Sequence, residues 1–365
     1  MFTGPGRPVV IVSNAWRNAS GNMSTRVGWK LRRLVSPLQP LAWMAGGTPP
    51  SRIGYGPGPL QALRDWRQRG LRRTLRVCLL EQHRRGARFA AAHAYWLNRR
   101  SRVCTAVVNQ PDGADVVWVF SQDPLAPDVR RRLEDTLAAL PPEVVVLNPL
   151  PAYDAYHDDR SFDRLRAAGV GVPATTFGPD DEGRTPVVHK AAGQQSCHKF
   201  LAPWDGPRPG YRAFGYVDGR GGDGRARRYR AYHLLGEVYA DDVLIADDWK
   251  VSLSTMRDVE HAFVATPHEH AQIRRIGDVL GLDVFCVDFL RRAGDGAPVF
   301  TDINVYPTIV IAESVDRALR ARGRWHVFDT RRRHGLPEPE GRSAWERLDD
   351  ALLLRVAHAR LRVAA

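Results

Sequence analysis

Residues 281–290 read Gly-Leu-Asp-Val-Phe-Cys-Val-Asp-Phe-Leu, and residues 298–307 read Pro-Val-Phe-Thr-Asp-Ile-Asn-Val-Tyr-Pro. Both runs are rich in the β-branched and aromatic residues that are typical of strands. The Gly-Asp-Gly of residues 294–296 between them is typical of a tight turn. A hairpin centred on Asp295 places Asp288 opposite Asp302, so the sequence predicts two carboxylates facing each other across two strands.

Asp302 and Asn304 share one face of the second strand, because strand side chains alternate with period two. Two facing carboxylates on half-buried strands repel each other, and a bound cation relieves that repulsion. Carboxylate and amide oxygens suit Mg²⁺, so Asp288, Asp302 and Asn304 are candidate metal ligands. The alternative is a solvated hairpin edge with scattered acidic residues.

The composition is that of a globular protein of two or three domains. The chain has 365 residues, of which 44% are hydrophobic, and no apolar run is long enough for a transmembrane helix. The N-terminal residues show no signal-peptide pattern, so we expect a cytoplasmic protein without a membrane partner. The four cysteines are widely spaced, which favours reduced thiols over disulfides or a zinc site.

The formal net charge of +13 comes almost entirely from arginine, since the chain has only four lysines. The arginines are scattered and are not interleaved with aromatic residues, so nucleic-acid binding is not expected. The positive charge is better explained by the binding of anionic small substrates such as a nucleotide. Lys190, Lys199 and Lys250 lie within one stretch of the chain, and lysines retained in an arginine-rich protein are candidates for compact point charges.

The order of predicted elements indicates an α/β front followed by an α+β body. In the front, a strand over residues 9–13 leads into a polar loop, residues 14–24, and residues 60–82 have helical periodicity. A strand, a helix and a strand over residues 115–120, 128–140 and 143–147 predict a βαβ unit with a parallel sheet. The body has predicted strands over residues 186–190, 212–217, 229–235 and 238–245, a helix over 258–280 and the hairpin. An amphipathic helix over 342–363 ends the chain.

Several motifs together resemble the ATP-grasp superfamily over residues 110 to 312, approximately. The matching pieces are, in order, Asn148-Pro149, Arg160, residues 165–175, Lys190, Gly193, Arg230, Asp288 and Asp302-x-Asn304. The resemblance implies a parallel pre-ATP-grasp domain followed by a two-subdomain ATP-grasp fold with antiparallel sheets. The implied boundaries are 1–147, 148–330 (with a flap subdomain at about 177–245), and a C-terminal helical segment, 331–365, that packs on the core.

The resemblance also implies a role for each matching residue. Lys190 and Arg160 would contact the ATP phosphates, and the flap backbone would approach them at Gly193. Arg230 would contact the γ-phosphate or an acyl phosphate. The implied Mg²⁺ ligands are Asp288, Asp302 and Asn304, with Asp302 in place of the usual Glu. The expected nucleotide contacts from the segment between Lys190 and Arg230 are Tyr216 and Val217, near the adenine hinge, and Asp223.

The implied activity is an ATP-dependent carboxylate–amine ligase that works through an acyl phosphate and releases ADP and phosphate. Its cofactors would be ATP and Mg²⁺, and its partners a small-molecule carboxylate and an amine, with a second copy of the chain as a further candidate. Two alternatives stay open. One is a small-molecule kinase. The other is a nucleotide-binding protein without catalysis, which the missing hinge Glu and Asp302 favour.

Overall fold

The computed structural model describes residues 75–81, 101–120, 124–191, 199–252, 255–261, 263–305 and 344–364, with the helical residues 90, 93, 94, 97 and 98. The strand and loop predicted over residues 9–24 lie outside the described residues, as does Gly193. The domain boundaries given above stay predictions.

The first sheet has four parallel strands in the order β2-β1-β3-β4. Its strands are β1 (Leu75–Leu80), β2 (Cys104–Val108), β3 (Val116–Val119) and β4 (Val145–Leu147). Helix α1 (Pro127–Ala138) joins β3 to β4, which confirms the predicted βαβ unit. The helical periodicity of residues 60–82 is wrong over its last part, because residues 75–80 form strand β1. This strand is buried along nearly its whole length, so it is an apolar run without the alternation of a half-buried strand.

The second sheet has five antiparallel strands in the order β10-β9-β8-β11-β12. Its strands are β8 (Ala226–Leu234), β9 (Glu237–Ala246), β10 (Asp258–His261), β11 (Val284–Arg291) and β12 (Pro298–Asn304). The helix predicted over residues 258–280 is therefore wrong in its first part. Helix α4 (Pro267–Leu280) begins only after Thr266, whose hydroxyl accepts from the backbone N–H of Glu269 at 3.2 Å. This cap and Pro267 fix the start of the helix.

A third, three-stranded sheet has the order β6-β5-β7 and is antiparallel. Its strands are β5 (Pro186–Ala191), β6 (Lys199–Pro203) and β7 (Tyr211–Gly215). The extended segment of residues 170–176 contacts both antiparallel sheets. The backbone N–H of Phe300 donates to the carbonyl of Gly171, and that of Gly215 donates to the carbonyl of Ala174, each at 2.8 Å. The segment thereby sets the two sheets beside each other.

Three further helices surround the sheets. Helices α2 (Leu150–His157) and α3 (Ser161–Ala167) lie between β4 and β5 in the chain, and α5 (Ala344–Ala364) ends it. The α5 side chains Leu348 and Leu352 are fully buried in the main hydrophobic core with strands of the first two sheets. The predicted fold class is confirmed, because a parallel sheet with helices precedes two antiparallel sheets. Among the described residues, no helix is both long and apolar enough to span a bilayer.

Candidate functional site

The two acidic residues of the hairpin face each other as predicted. Strands β11 and β12 pair with Asp288 opposite Asp302, and the next pair is Phe289 with Phe300. Thr301 is therefore an extra residue on β12, and its hydroxyl donates to the carbonyl of Asp288 at 3.2 Å. Such bulges bend a strand and re-aim its side chains, and they are frequent beside active sites. The bulge thus lies at the point where the two carboxylates meet.

Asp288 is held by two arginines of the neighbouring strand β8. Arg230 lies opposite it in register, and its Nε and Nη2 donate to the two carboxylate oxygens at 2.6 and 2.7 Å. Arg228 Nη1 lies 3.4 Å from Oδ2. Burial alone would raise the pKa of Asp288, but Arg228 and Arg230 outweigh it and hold that pKa well below its usual range. Asp288 is therefore a buried, ionised carboxylate.

Asp302 is paired with a cation from the other antiparallel sheet. The Nζ of Lys190, on β5, lies 3.0 Å from Asp302 Oδ1. The side chain of Asp302 is 42% exposed, and Asn304 lies two residues further along the same strand. The repulsion that the sequence led us to expect between the two carboxylates is thus relieved in this structure by side-chain cations. Lys190, Arg230, Asp288 and Asp302 form one cluster between the two sheets.

Two further cations join the cluster and were not among the predicted site residues. Lys199 lies directly opposite Lys190 on the adjacent strand β6, and it interacts electrostatically with Arg228, Asp302, Lys190 and Asp288. Burial, with help from Arg228, lowers the pKa of Lys199. The scarcity of lysine had marked Lys199 as a candidate point charge without assigning it to the site, whereas Arg228 was hidden among many arginines.

The other predicted site residues have their described contacts outside this cluster. Arg160 is exposed, and its Nε lies 3.6 Å from Asp158. Asp223 is paired with Arg227 through both oxygens, at 2.6 and 2.8 Å, in a turn before β8. Tyr216 lies in the segment that joins β7 to β8, where its ring meets that of Trp249 edge-on at 6.4 Å. Val217, the next residue, is half-buried.

Asn148 is a structural bridge in this fold. Its φ of 50° is in the left-handed region that Asn tolerates, and its side chain is buried. The side-chain oxygen accepts from the backbone N–H groups of Asp283 and Val284 at 2.9 and 3.0 Å. The side-chain nitrogen donates to the carbonyls of Val284 and Val305 at 2.7 and 3.3 Å. Asn148 thereby ties the end of β4 to the start of β11.

The cluster has an excess of positive charge that suits a polyanion. Four cations surround the two carboxylates Asp288 and Asp302, which leaves a formal excess of two positive charges. The described residues contain no group of three His, Cys, Asp or Glu side chains that could hold a metal by themselves. Mg²⁺ therefore fits here only together with oxygens from an anionic ligand, with Asp302 and Asn304 as the accessible protein ligands.

No family model matches the chain, and no curated protein matches it. Solved structures do. D-alanine–D-alanine ligase from Bacillus anthracis, complexed with ATP, has 12% sequence identity and a TM-score of 0.46, with 79% of this chain and 99% of that chain covered. The ATP-grasp ligase PsnB, complexed with the precursor peptide PsnA2 and AMPPNP, has 12% identity and a TM-score of 0.44, again with 79% of this chain and 99% of that chain covered.

The chain resembles ATP-grasp ligases. A third match is a RiPP-associated ATP-grasp ligase from Chryseobacterium gregarium in complex with ADP and a leader and core peptide, at 11% identity and a TM-score of 0.41. It covers 68% of this chain and 97% of that chain. The ligands in those structures belong to those proteins.

Proposed function

We propose that this protein is an ATP-dependent ligase that joins a carboxylate to an amine. The observation that supports this most is the cationic cluster between the two antiparallel sheets, where Lys190 meets Asp302 and Arg230 meets Asp288. A polyphosphate is the common ligand that matches several convergent cations beside two carboxylates. The proposal includes the domain boundaries 1–147, 148–330 and 331–365, with the nucleotide between the two antiparallel sheets.

The reaction would have two steps. A carboxylate oxygen of the substrate attacks the γ-phosphorus of ATP, the bond to the β–γ bridging oxygen breaks, and an acyl phosphate and ADP form. The amine then attacks the acyl carbon, phosphate leaves with the carbon–oxygen electron pair, and the nitrogen loses a proton to give the amide. The first step transfers a phosphoryl group between two oxyanions, and the second expels phosphate as an anion, so neutralising negative charge and aligning the reactants account for most of the catalysis.

The residues of the cluster would divide this work. Lys190 would hold phosphate oxygens as a compact charge, and Arg230 would use its planar guanidinium on the transferred phosphoryl group. Mg²⁺, held by Asp302 and Asn304 with Asp288 nearby, would supply further charge neutralisation on the phosphates. Arg160, Tyr216, Val217, Asp223 and Gly193 remain proposed nucleotide contacts.

An ADP-release assay with panels of carboxylates and amines tests the proposal. We expect ADP to form only when a carboxylate is present, and turnover to require the amine. ADP formed with a stable phosphorylated product and no need for an amine would identify a kinase. ATP binding without ADP under every substrate mixture would identify a binding protein.

Matched variants of one hairpin tie the activity to the cluster. Asp302→Asn removes a carboxylate that contacts Lys190, whereas Asp295→Asn removes one that pairs with Arg292 at the turn of the same hairpin. We expect Asp302→Asn to lower ADP formation by about a hundredfold or more, and Asp295→Asn to leave it unchanged. Equal rates for the two variants would contradict the proposed site.

A further inference from the structure

Lys199 and Arg228 are less fully neutralised by carboxylates than Lys190 and Arg230 are. Arg230 has two short contacts with Asp288, and Lys190 has one with Asp302. Lys199 has no acidic partner within ion-pair distance in the described part of the chain. Among the described residues, the one carboxylate within ion-pair distance of Arg228 is Asp288, at 3.4 Å, and Arg230 already holds both of its oxygens.

The surroundings of this pair disfavour its charge in the absence of a ligand. The Nε of Arg228 is buried and has no hydrogen-bond partner among the described residues. Lys199 faces Lys190 directly across two antiparallel strands, an arrangement of like charges that destabilises a sheet. On the far side of Lys190, Arg212 is its partner in register on β7, so three basic residues form a row across the sheet.

A buried donor without a partner and opposed like charges both cost folding free energy, and a bound anion would relieve both. Arg212 at one end of the row is neutralised by Asp159, at 3.2 Å. Lys199, at the other end, forms no ion pair with any described residue. Among the described residues, the less neutralised positive charge therefore lies where Lys199 of β6 approaches Arg228 of β8.

We propose that Lys199 and Arg228 form a second anion subsite, which binds the terminal phosphoryl group of the nucleotide. This inference rests on the proposed function, in which Arg230 contacts that same group. Arg228 and Arg230 both reach Asp288 from one strand, so a phosphoryl group held by Arg230 lies within the reach of Arg228. The subsite would discriminate ATP from ADP by a charge-assisted contact that only the triphosphate makes.

Calorimetric titration of the full chain with ATP and with ADP tests the subsite. We expect Lys199→Gln and Arg228→Gln each to weaken ATP binding about tenfold, the loss of one charge-assisted hydrogen bond, and to change ADP binding less than about twofold. Lys199→Arg should retain most of the ATP affinity. The matched control is Arg257→Gln, which removes the same charge from an exposed arginine that pairs with Asp247.

The outcomes separate this inference from the proposed function. Wild-type affinity for ATP in both variants overturns the subsite, and so does equal weakening of ATP and ADP. A raised KM for the carboxylate with unchanged ATP binding would assign the pair to that substrate and overturn it too. A wild type that binds ATP but never forms ADP overturns the ligase and leaves the subsite standing.

A labelling experiment on the wild type covers the case in which a variant does not fold. Lys199 is modified with an amine-reactive ester and quantified by mass spectrometry, with ATP or ADP present. We expect ATP to slow the modification of Lys199 at least about fivefold more than saturating ADP does. Equal protection by the two nucleotides would overturn the subsite.

Discussion

Strand β11 carries two polar clusters that differ in how completely they are satisfied. At its start, the side chain of Asn148 accepts two and donates two hydrogen bonds, all with backbone groups. In its middle, Asp288 forms ion pairs with Arg228 and Arg230, and the buried Nε of Arg228 has no hydrogen-bond partner among the described residues. We call these the Asn148 cluster and the Asp288 cluster.

The difference between the two clusters indicates different roles. A buried polar network whose members are all satisfied strengthens a unique fold, whereas a partly satisfied one carries an energetic cost. In the Asn148 cluster the side-chain hydrogen bonds are all made and the one carboxylate, Asp283, is paired with Arg355, so no ligand would stabilise it further. The Asp288 cluster has excess positive charge, so a bound anion would stabilise it. Replacing single residues should therefore affect stability alone in the first cluster, and ligand binding and turnover as well as stability in the second.

The largest effect is expected for Asp288→Asn. The substitution leaves Arg228 and Arg230 without a carboxylate, and removing one partner of a buried ion pair typically costs about 3–5 kcal/mol. We expect a loss of that size in the free energy of unfolding, measured in urea, and a loss of ADP formation of about a thousandfold. Arg230→Gln leaves Asp288 with Arg228 as a partner, so its stability loss should be smaller. A variant as stable and as active as the wild type would contradict the role of the cluster.

Asn148→Ala is expected to have the next largest effect, and on stability alone. It leaves several buried backbone groups without partners and places Ala, which tolerates the left-handed region less well than Asn, at positive φ, for a total of about 3 kcal/mol. Asn148→Gly accepts the same φ, so it should recover about 1 kcal/mol of that loss. ATP affinity should stay at the wild-type value wherever the variants are folded. A change in affinity without a change in stability would remove the distinction between the two clusters.

The sequence predicted the Asp288 cluster in part. The pairing of Asp288 with Asp302 was predicted from a turn and strand alternation, which are local, and it was correct, but the extra residue Thr301 that produces this register was not predicted. Arg228 and Lys199 depend on which face of one sheet meets another, a long-range property that spacing does not reveal. Strand β1 was missed for a related reason. It is buried among neighbouring parallel strands, so its sequence lacks the alternation that identifies a strand with one exposed face.

Metal binding should depend on nucleotide, because the carboxylates of the Asp288 cluster are already engaged. Both oxygens of Asp288 contact Arg230, and one of Asp302 contacts Lys190. Phosphates that draw these cations away would free oxygens for the metal. We expect a non-hydrolysable ATP analogue to raise the affinity for Mn²⁺, used as a probe, by about tenfold, and Asp302→Asn to reduce that gain. Tight Mn²⁺ binding without nucleotide would contradict this coupling.

The smallest effect concerns pH and should distinguish His157 from the Asp288 carboxylate. His157 ends helix α2, which begins shortly after Asn148, and burial lowers its pKa to about 4 from the ordinary 6.5. The unfolded chain therefore binds more protons than the folded one between those values, so stability is complete above about pH 6.5 and falls as the pH drops toward 4. The Asp288 carboxylate, with its lowered pKa, keeps its contribution throughout that range and loses it only in stronger acid.

The pH effect of His157 should amount to about 1 kcal/mol between pH 7 and 5.5. Its buried Nε2 has no hydrogen-bond partner among the described residues, so His157→Phe removes the titration without removing a described hydrogen bond. We expect that variant to lose less stability than the wild type over this range, in urea titrations at both pH values. His358→Gln, on the exposed side of α5, is the control and should keep the wild-type dependence. An unchanged slope for His157→Phe would show that the acid sensitivity near neutral pH does not come from His157.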